Sequence, residues 1–122
     1  MKRFFASSLL WLAACAALAA PSPARPEIDA LLARLQSSGC AFQRNGSWHD
    51  AAEARTHLLR KLEYLEDRDL AQTTEQFIDL AASESSMSHK PYLVRCGNAA
   101  PVESKAWLTQ QLKALRTAGR AK

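Results

Sequence analysis

The chain lacks the short motifs that announce catalysis or metal binding. It has no G-x-S-x-G elbow and no S-x-x-K, since Met87 stands three residues before Lys90. It has no H-E-x-x-H helix motif and no paired C-x-x-C, the spacings that build zinc sites. It lacks an excess of one charge: 16 Lys and Arg stand against 12 Asp and Glu, mixed along the chain. No dense basic stripe exists, so composition disfavours nucleic acid as a partner. No internal repeat is present, and nothing points to a cofactor.

What is present begins with Met1-Lys2-Arg3, followed by an uncharged run from Phe4 to Ala20. Ala17-Leu18-Ala19 is a small-x-small cleavage site, and Pro21-Ser22-Pro23 follows it. Basic start, apolar middle and small-residue end are the three parts of a secretory signal, read here as residues 1–19. A membrane anchor would need about 20 predominantly apolar residues. This run is shorter, rich in Ala and Ser, and has no charged stop-transfer flank. Leu12-Ala13-Ala14-Cys15 also resembles a lipobox, in which Cys15 would be lipidated and become the mature N-terminus. The apolar core before Cys15 is short, and an ordinary cleavage site follows it, which favours the soluble periplasmic form. A membrane becomes a partner only if Cys15 is lipidated.

Cleavage after Ala19 leaves 103 residues, enough for one domain with one modest core. It also removes Lys2 and Arg3, which lowers the net charge from +4 to about +2. The mature chain keeps Cys40 and Cys96. In an oxidising compartment two cysteines suggest a disulfide, and only one pairing is available. Two free buried thiols are the alternative.

Residues 20–25 read as a disordered Pro-rich lead, 26–118 as a single globular domain and 119–122 as a basic tail. Pro26 opens a helix whose Ile28, Leu31, Leu32 and Leu35 recur at helical spacing until Gly39. Cys40–Arg44 reads as a strand ended by Asn45-Gly46, a strong turn signal. Ser47-Trp48-His49 is too short to assign. Asp50 caps a second helix, with Glu53 at the capping-box position and Ala54, Leu58, Leu62 and Leu65 on one face. Glu66-Asp67-Arg68-Asp69 closes it as a solvated polar turn. Thr73 starts a third helix, with Gln76 at its capping-box position and Phe77, Ile78 and Ala81 inside. Lys90–Cys96 reads as a second strand. Pro101 opens a last helix carrying Val102, Trp107, Leu108, Leu112 and Leu115. The expected fold is α+β and predominantly α: about four helices packed on a small two-stranded sheet, with one disulfide.

Phe42-Gln43-Arg44-Asn45-Gly46, then Glu53-Ala54, His57-Leu58 and Lys61-Leu62, then Thr74 to Asp79, the serines at 83, 85 and 86, and Lys90-Pro91-Tyr92 form an ordered set. In this combination they resemble the YfeK-like family, small exported bacterial proteins with a domain of unknown function. The resemblance covers about residues 26 to 115. It implies export and one compact domain, and it brings no activity, substrate or cofactor. The family typically has glycine where this chain has His89, so the turn there is expected not to be locked to a positive φ.

Three groups of side chains are candidates for binding or catalysis. Glu53, His57 and Lys61 lie four residues apart on one helix ridge, either as a salt-bridged face or as a polar binding edge with His57 titrating near neutrality. Arg44-Asn45-Gly46 is either a solvated turn or a loop offering a guanidinium fork and an amide to an anionic or amide-bearing ligand. Trp48 and Tyr92 would flank such a site or fill the core. The serines from Ser83 to Ser88 lack an oriented base and read as a turn-forming loop. A metal on Glu53 and His57 would need a third ligand. The expected function is a non-enzymatic binding or accessory protein of the cell envelope, its partner an envelope protein or small ligand. The alternatives are a small envelope hydrolase using His57 with Glu53, and an inhibitor of a secreted enzyme inserting the Arg44 turn.

Overall fold

The computed structural model describes residues 20–120. The signal segment and Cys15 lie outside the described residues, as do the last two residues of the basic tail. Among the described residues four helices, α1 (Arg25–Ser38), α2 (Ala51–Glu66), α3 (Thr74–Ala81) and α4 (Ser104–Arg120), pack on a sheet of four strands. The strands are β1 (Ala41–Arg44), β2 (Ser47–His49), β3 (Leu93–Arg95) and β4 (Val102–Glu103). They are antiparallel in the order β2-β1-β3-β4.

The helices form where capping chemistry and apolar spacing agree. The Asp50 carboxylate accepts from the Glu53 N–H at 2.8 Å and starts α2. Thr73 Oγ1 accepts from the Gln76 N–H and starts α3. Both capping boxes are half made. The Gln76 side chain reaches back to the N–H of Gln72 rather than Thr73, and Glu53 turns to His49. Gly39 ends α1 at φ 67°, a conformation that costs glycine nothing. Ile28, Leu31, Leu32 and Leu35 of α1, Leu58 and Leu62 of α2 and Phe77 of α3 meet Phe42, Tyr92 and Leu108 in one core.

The sheet has four strands where two are expected. Ser47–His49 folds back on β1 through Asn45 and Gly46, both at positive φ (50° and 82°) as a type I′ turn requires. Val102–Glu103, expected inside the last helix, instead pairs with β3 as an edge strand, and α4 begins only at Ser104. Pro101 sits ahead of that strand rather than of the helix. The disulfide joins Cys40 to Cys96. These two residues lie one step beyond the Ala41↔Arg95 pair of the β1–β3 ladder.

Two polar segments differ from expectation. Ser22, within the stretch read as a disordered lead, is buried and its N–H donates to Glu66 Oε2 at 2.6 Å. Glu66, expected in a solvated turn, is only 7% exposed and also accepts from Arg25 at 2.8 Å. A backbone N–H and a guanidinium satisfy its two carboxylate oxygens.

His89 adopts φ 59°, contrary to the expectation that its turn avoids positive φ. Glycine takes this conformation freely, whereas a Cβ makes it cost about 1–2 kcal/mol. Its backbone N–H donates to the Ser85 carbonyl, and its ring bonds Glu84 across the exposed turn at 3.2 Å. His89→Gly should therefore stabilise the domain by about 0.5–1 kcal/mol, read from urea denaturation midpoints. An unchanged or lower midpoint would show that the Glu84 contact outweighs the backbone cost.

Candidate functional site

One half-buried cluster collects Arg44 from the end of β1, His57 and Lys61 from α2, and Tyr92 just ahead of β3. Arg44 Nη1 lies 2.6 Å from His57 Nδ1. His57 Nε2 lies 3.1 Å from the Tyr92 hydroxyl. Lys61 Nζ donates to the same hydroxyl at 3.0 Å and to the Glu84 carbonyl at 3.1 Å. Tyr92 itself is 1% exposed, its ring packed on Phe42 at 5.0 Å and edge-on to His57 at 5.9 Å.

Proton bookkeeping fixes the roles along this chain of groups. A guanidinium only donates, so His57 Nδ1 must accept and the ring proton sits on Nε2. That Nε2–H donates to the Tyr92 oxygen, which receives a second proton from Lys61. The hydroxyl oxygen has both lone pairs engaged, and its own proton finds no acceptor among the described residues. The cluster is rich in donors and poor in acceptors.

Electrostatics agree with that count. Burial, and then the positive charges of Arg44, Lys61 and Arg60 with His49 nearby, push His57 down from its ordinary value to about 4. Burial also lowers Lys61, opposed by Glu84 and assisted by Arg44. Burial raises Tyr92, so its phenol keeps the proton. His57 is thus a neutral imidazole at physiological pH, clasped between cations.

Two cavities adjoin at His57 and Arg60, one turn apart on α2. The first, about 490 Å³, is lined among others by Arg44, His49, Glu53, Thr56, His57 and Arg60. The second, about 400 Å³, adds Lys61, Tyr64, Leu65, Leu80 and Ser86. Arg44, Glu53 and His57 therefore do converge on one concave surface.

The structure parts other residues that the sequence groups together. Glu53 is exposed and bonds His49 at 3.0 Å, so the Glu53–His57 pair is not formed. Asn45 does not face the cavity: its side chain bonds Ser85 and Ser88 and pins the hairpin tip to the serine loop. Gly46 supplies the turn alone. Trp48 stacks under Arg95 at 4.1 Å, away from the cluster. Ser85 Oγ accepts from the N–H groups of Met87 and Ser88, which makes it a turn former. Among the described residues no three His, Cys, Asp or Glu side chains are placed to hold a metal ion. Arg60 also belongs to the site; its signal in the sequence is its place three residues past His57, beside the Glu53–His57–Lys61 ridge. Tyr92 is both core aromatic and hydrogen-bond hub.

No solved structure matches the chain. A protein of Salmonella typhimurium (strain LT2), named "Uncharacterized protein YfeK", is 45% identical over 85 residues, covering 69% of this chain and 68% of the relative. Residues 22–116 match the family described as "Family of unknown function (DUF5329)". The match spans α1 through most of α4 and so includes every residue of the cluster. The chain belongs to this YfeK-like family of unknown function.

Proposed function

We propose that the chain is an exported, non-enzymatic binding module whose ligand presents an anionic group to Arg44, Arg60 and Lys61 around a neutral His57. The observation that carries this reading is the excess of donors in the Arg44–His57–Tyr92–Lys61 cluster at the wall of an open cavity. An anion supplies the acceptors that the cluster lacks, and charge-assisted hydrogen bonds to it are the strong kind. The secretory-type start of the sequence and the Cys40–Cys96 disulfide support work in an oxidising compartment outside the cytoplasm. The hydrolase alternative finds no support in a Glu53 turned to His49. The inhibitor alternative finds none in a hairpin tip bonded to its own chain.

The test follows the His57 ring protons by NMR while acetate or inorganic phosphate is added. Free His57 should titrate near pH 4. A bound anion offsets the surrounding cations, so its titration should move up toward the ordinary value near 6.5, and affinity should rise as pH falls through that window. Arg44→Ala should weaken anion binding by about tenfold or more. If neither anion perturbs the resonances of His57 or Arg44, the reading fails.

His57 also sets an acid limit on the fold. Its pKa is lowered on folding, so the folded state binds fewer protons than the unfolded state between about pH 6.5 and 4. The neutral ring is tolerated fully above that window, and stability is lost progressively as pH falls through it.

A further inference from the structure

Resting on the anion reading, we infer that the ligand is amphiphilic: an acyl chain whose carboxylate meets Arg44 and Arg60 and whose hydrocarbon lies in the second cavity against Tyr64, Leu65 and Leu80. The two cavities share the His57–Arg60 wall, so one molecule reaches both. Their linings differ in character. The first carries charged groups of both signs, with Arg44 and Arg60 on one part of its wall and Asp50 and Glu53 on another, whereas the second is walled by a tyrosine ring and two leucines with Arg60 and Lys61 along its rim. Tyr64 and Leu80 are two of the large apolar side chains that stand exposed, at 57% and 48%. They come from different helices, α2 and α3, and meet at this cavity rather than being scattered over the surface. Apolar surface rimmed by polar groups marks a binding groove. The Arg68 guanidinium lies 3.5 Å from the Tyr64 ring centroid and donates to the Tyr64 carbonyl, which steadies the ring. At about 400 Å³ the space lies within the range of small-molecule sites. A charged head alone would leave this wall wet, and an uncharged chain would leave the cluster's donors unmatched. A single chain ending in a carboxylate satisfies both.

The test measures binding of acetate, butyrate, hexanoate and octanoate to the folded mature chain by NMR or calorimetry. Affinity should rise by about fourfold for each methylene buried. Leu80→Ser should flatten that dependence. If octanoate binds no tighter than acetate, the acyl inference is overturned while the anion reading stands. Octanol binding as tightly as octanoate would overturn it from the other side, because the carboxylate would then contribute nothing. A peptide ending in a free leucine carboxylate that outcompetes octanoate, and loses this on amidation, would replace the acyl occupant with a protein C-terminus. If none of the acids binds, the acyl inference falls; if inorganic phosphate also leaves the His57 and Arg44 resonances unmoved, the anion reading falls with it.

Discussion

A chain carrying Cys40→Ala and Cys96→Ala together should lose about 4 kcal/mol of stability. The bond closes a loop with a sequence separation of 56 residues, and in the chain-entropy treatment a loop of that length constrains the unfolded state by roughly that amount. Domains of this size are held by only about 5–15 kcal/mol, so the loss removes a large share of the total. At about 4–8 °C per kcal/mol the melting temperature should drop by roughly 15–30 °C. Guanidinium denaturation of the oxidised protein, the reduced protein and the double variant makes the comparison. The reduced protein and the variant should unfold at similar, low midpoints. Equal midpoints for all three would show that the rest of the core holds the fold without the bond.

Glu66→Ala should cost about 3 kcal/mol, an unusually large penalty for an acidic residue at a helix end. Glu66 is the point where the N-terminal segment is fastened to α2. Its two oxygens hold the Ser22 N–H and the Arg25 guanidinium, while Ser22 Oγ donates to the Ala71 carbonyl. Ala71 sits at φ 58° with no exposure, a backbone position that costs a non-glycine residue and needs such support. Removing the carboxylate leaves a buried N–H unsatisfied and loosens that support. Arg25 retains Asp29 at 3.0 Å, which keeps the loss below the upper end for a broken buried pair. Glu66→Gln, which keeps the shape and one acceptor, should lose less. Urea denaturation of the three proteins decides it: a loss under about 0.5 kcal/mol for the alanine variant would show that the segment before α1 is fastened by something else.

The helices were legible because each carries its signal locally. Asp50 and Thr73 stand next to the residues they cap, and the leucines of α1 and α2 repeat within a few positions. The strands β2 and β4 were not, since three and two residues are too few to show alternation, although each pairs with the strand just before it. Glu66 looked solvated because its partners, Ser22 and Arg25, are 44 and 41 residues away. The site divides the same way. The ridge of His57 and Lys61 follows from helical spacing. Tyr92 as the hub does not, being 35 residues from His57. Glu53 is four residues from both His49 and His57, so spacing alone could not choose between them, and the fold gave it to His49.

The disulfide has a geometric consequence besides its thermodynamic one. The β1–β3 pairs Ala41↔Arg95, Phe42↔Val94 and Gln43↔Leu93 run between two ends. Beyond one end lie Cys40 and Cys96; one step beyond the other, the same count sets Arg44 opposite Tyr92. A slip of one residue would turn every side chain of β1 to the wrong face, carrying Phe42 out of the core and Arg44 away from His57. A ladder this short has few hydrogen bonds with which to resist such a slip. The covalent link at Cys40 acts as the fixed origin from which four residues of strand are measured out to the guanidinium, so the oxidised chain has only one way to assemble its donor cluster.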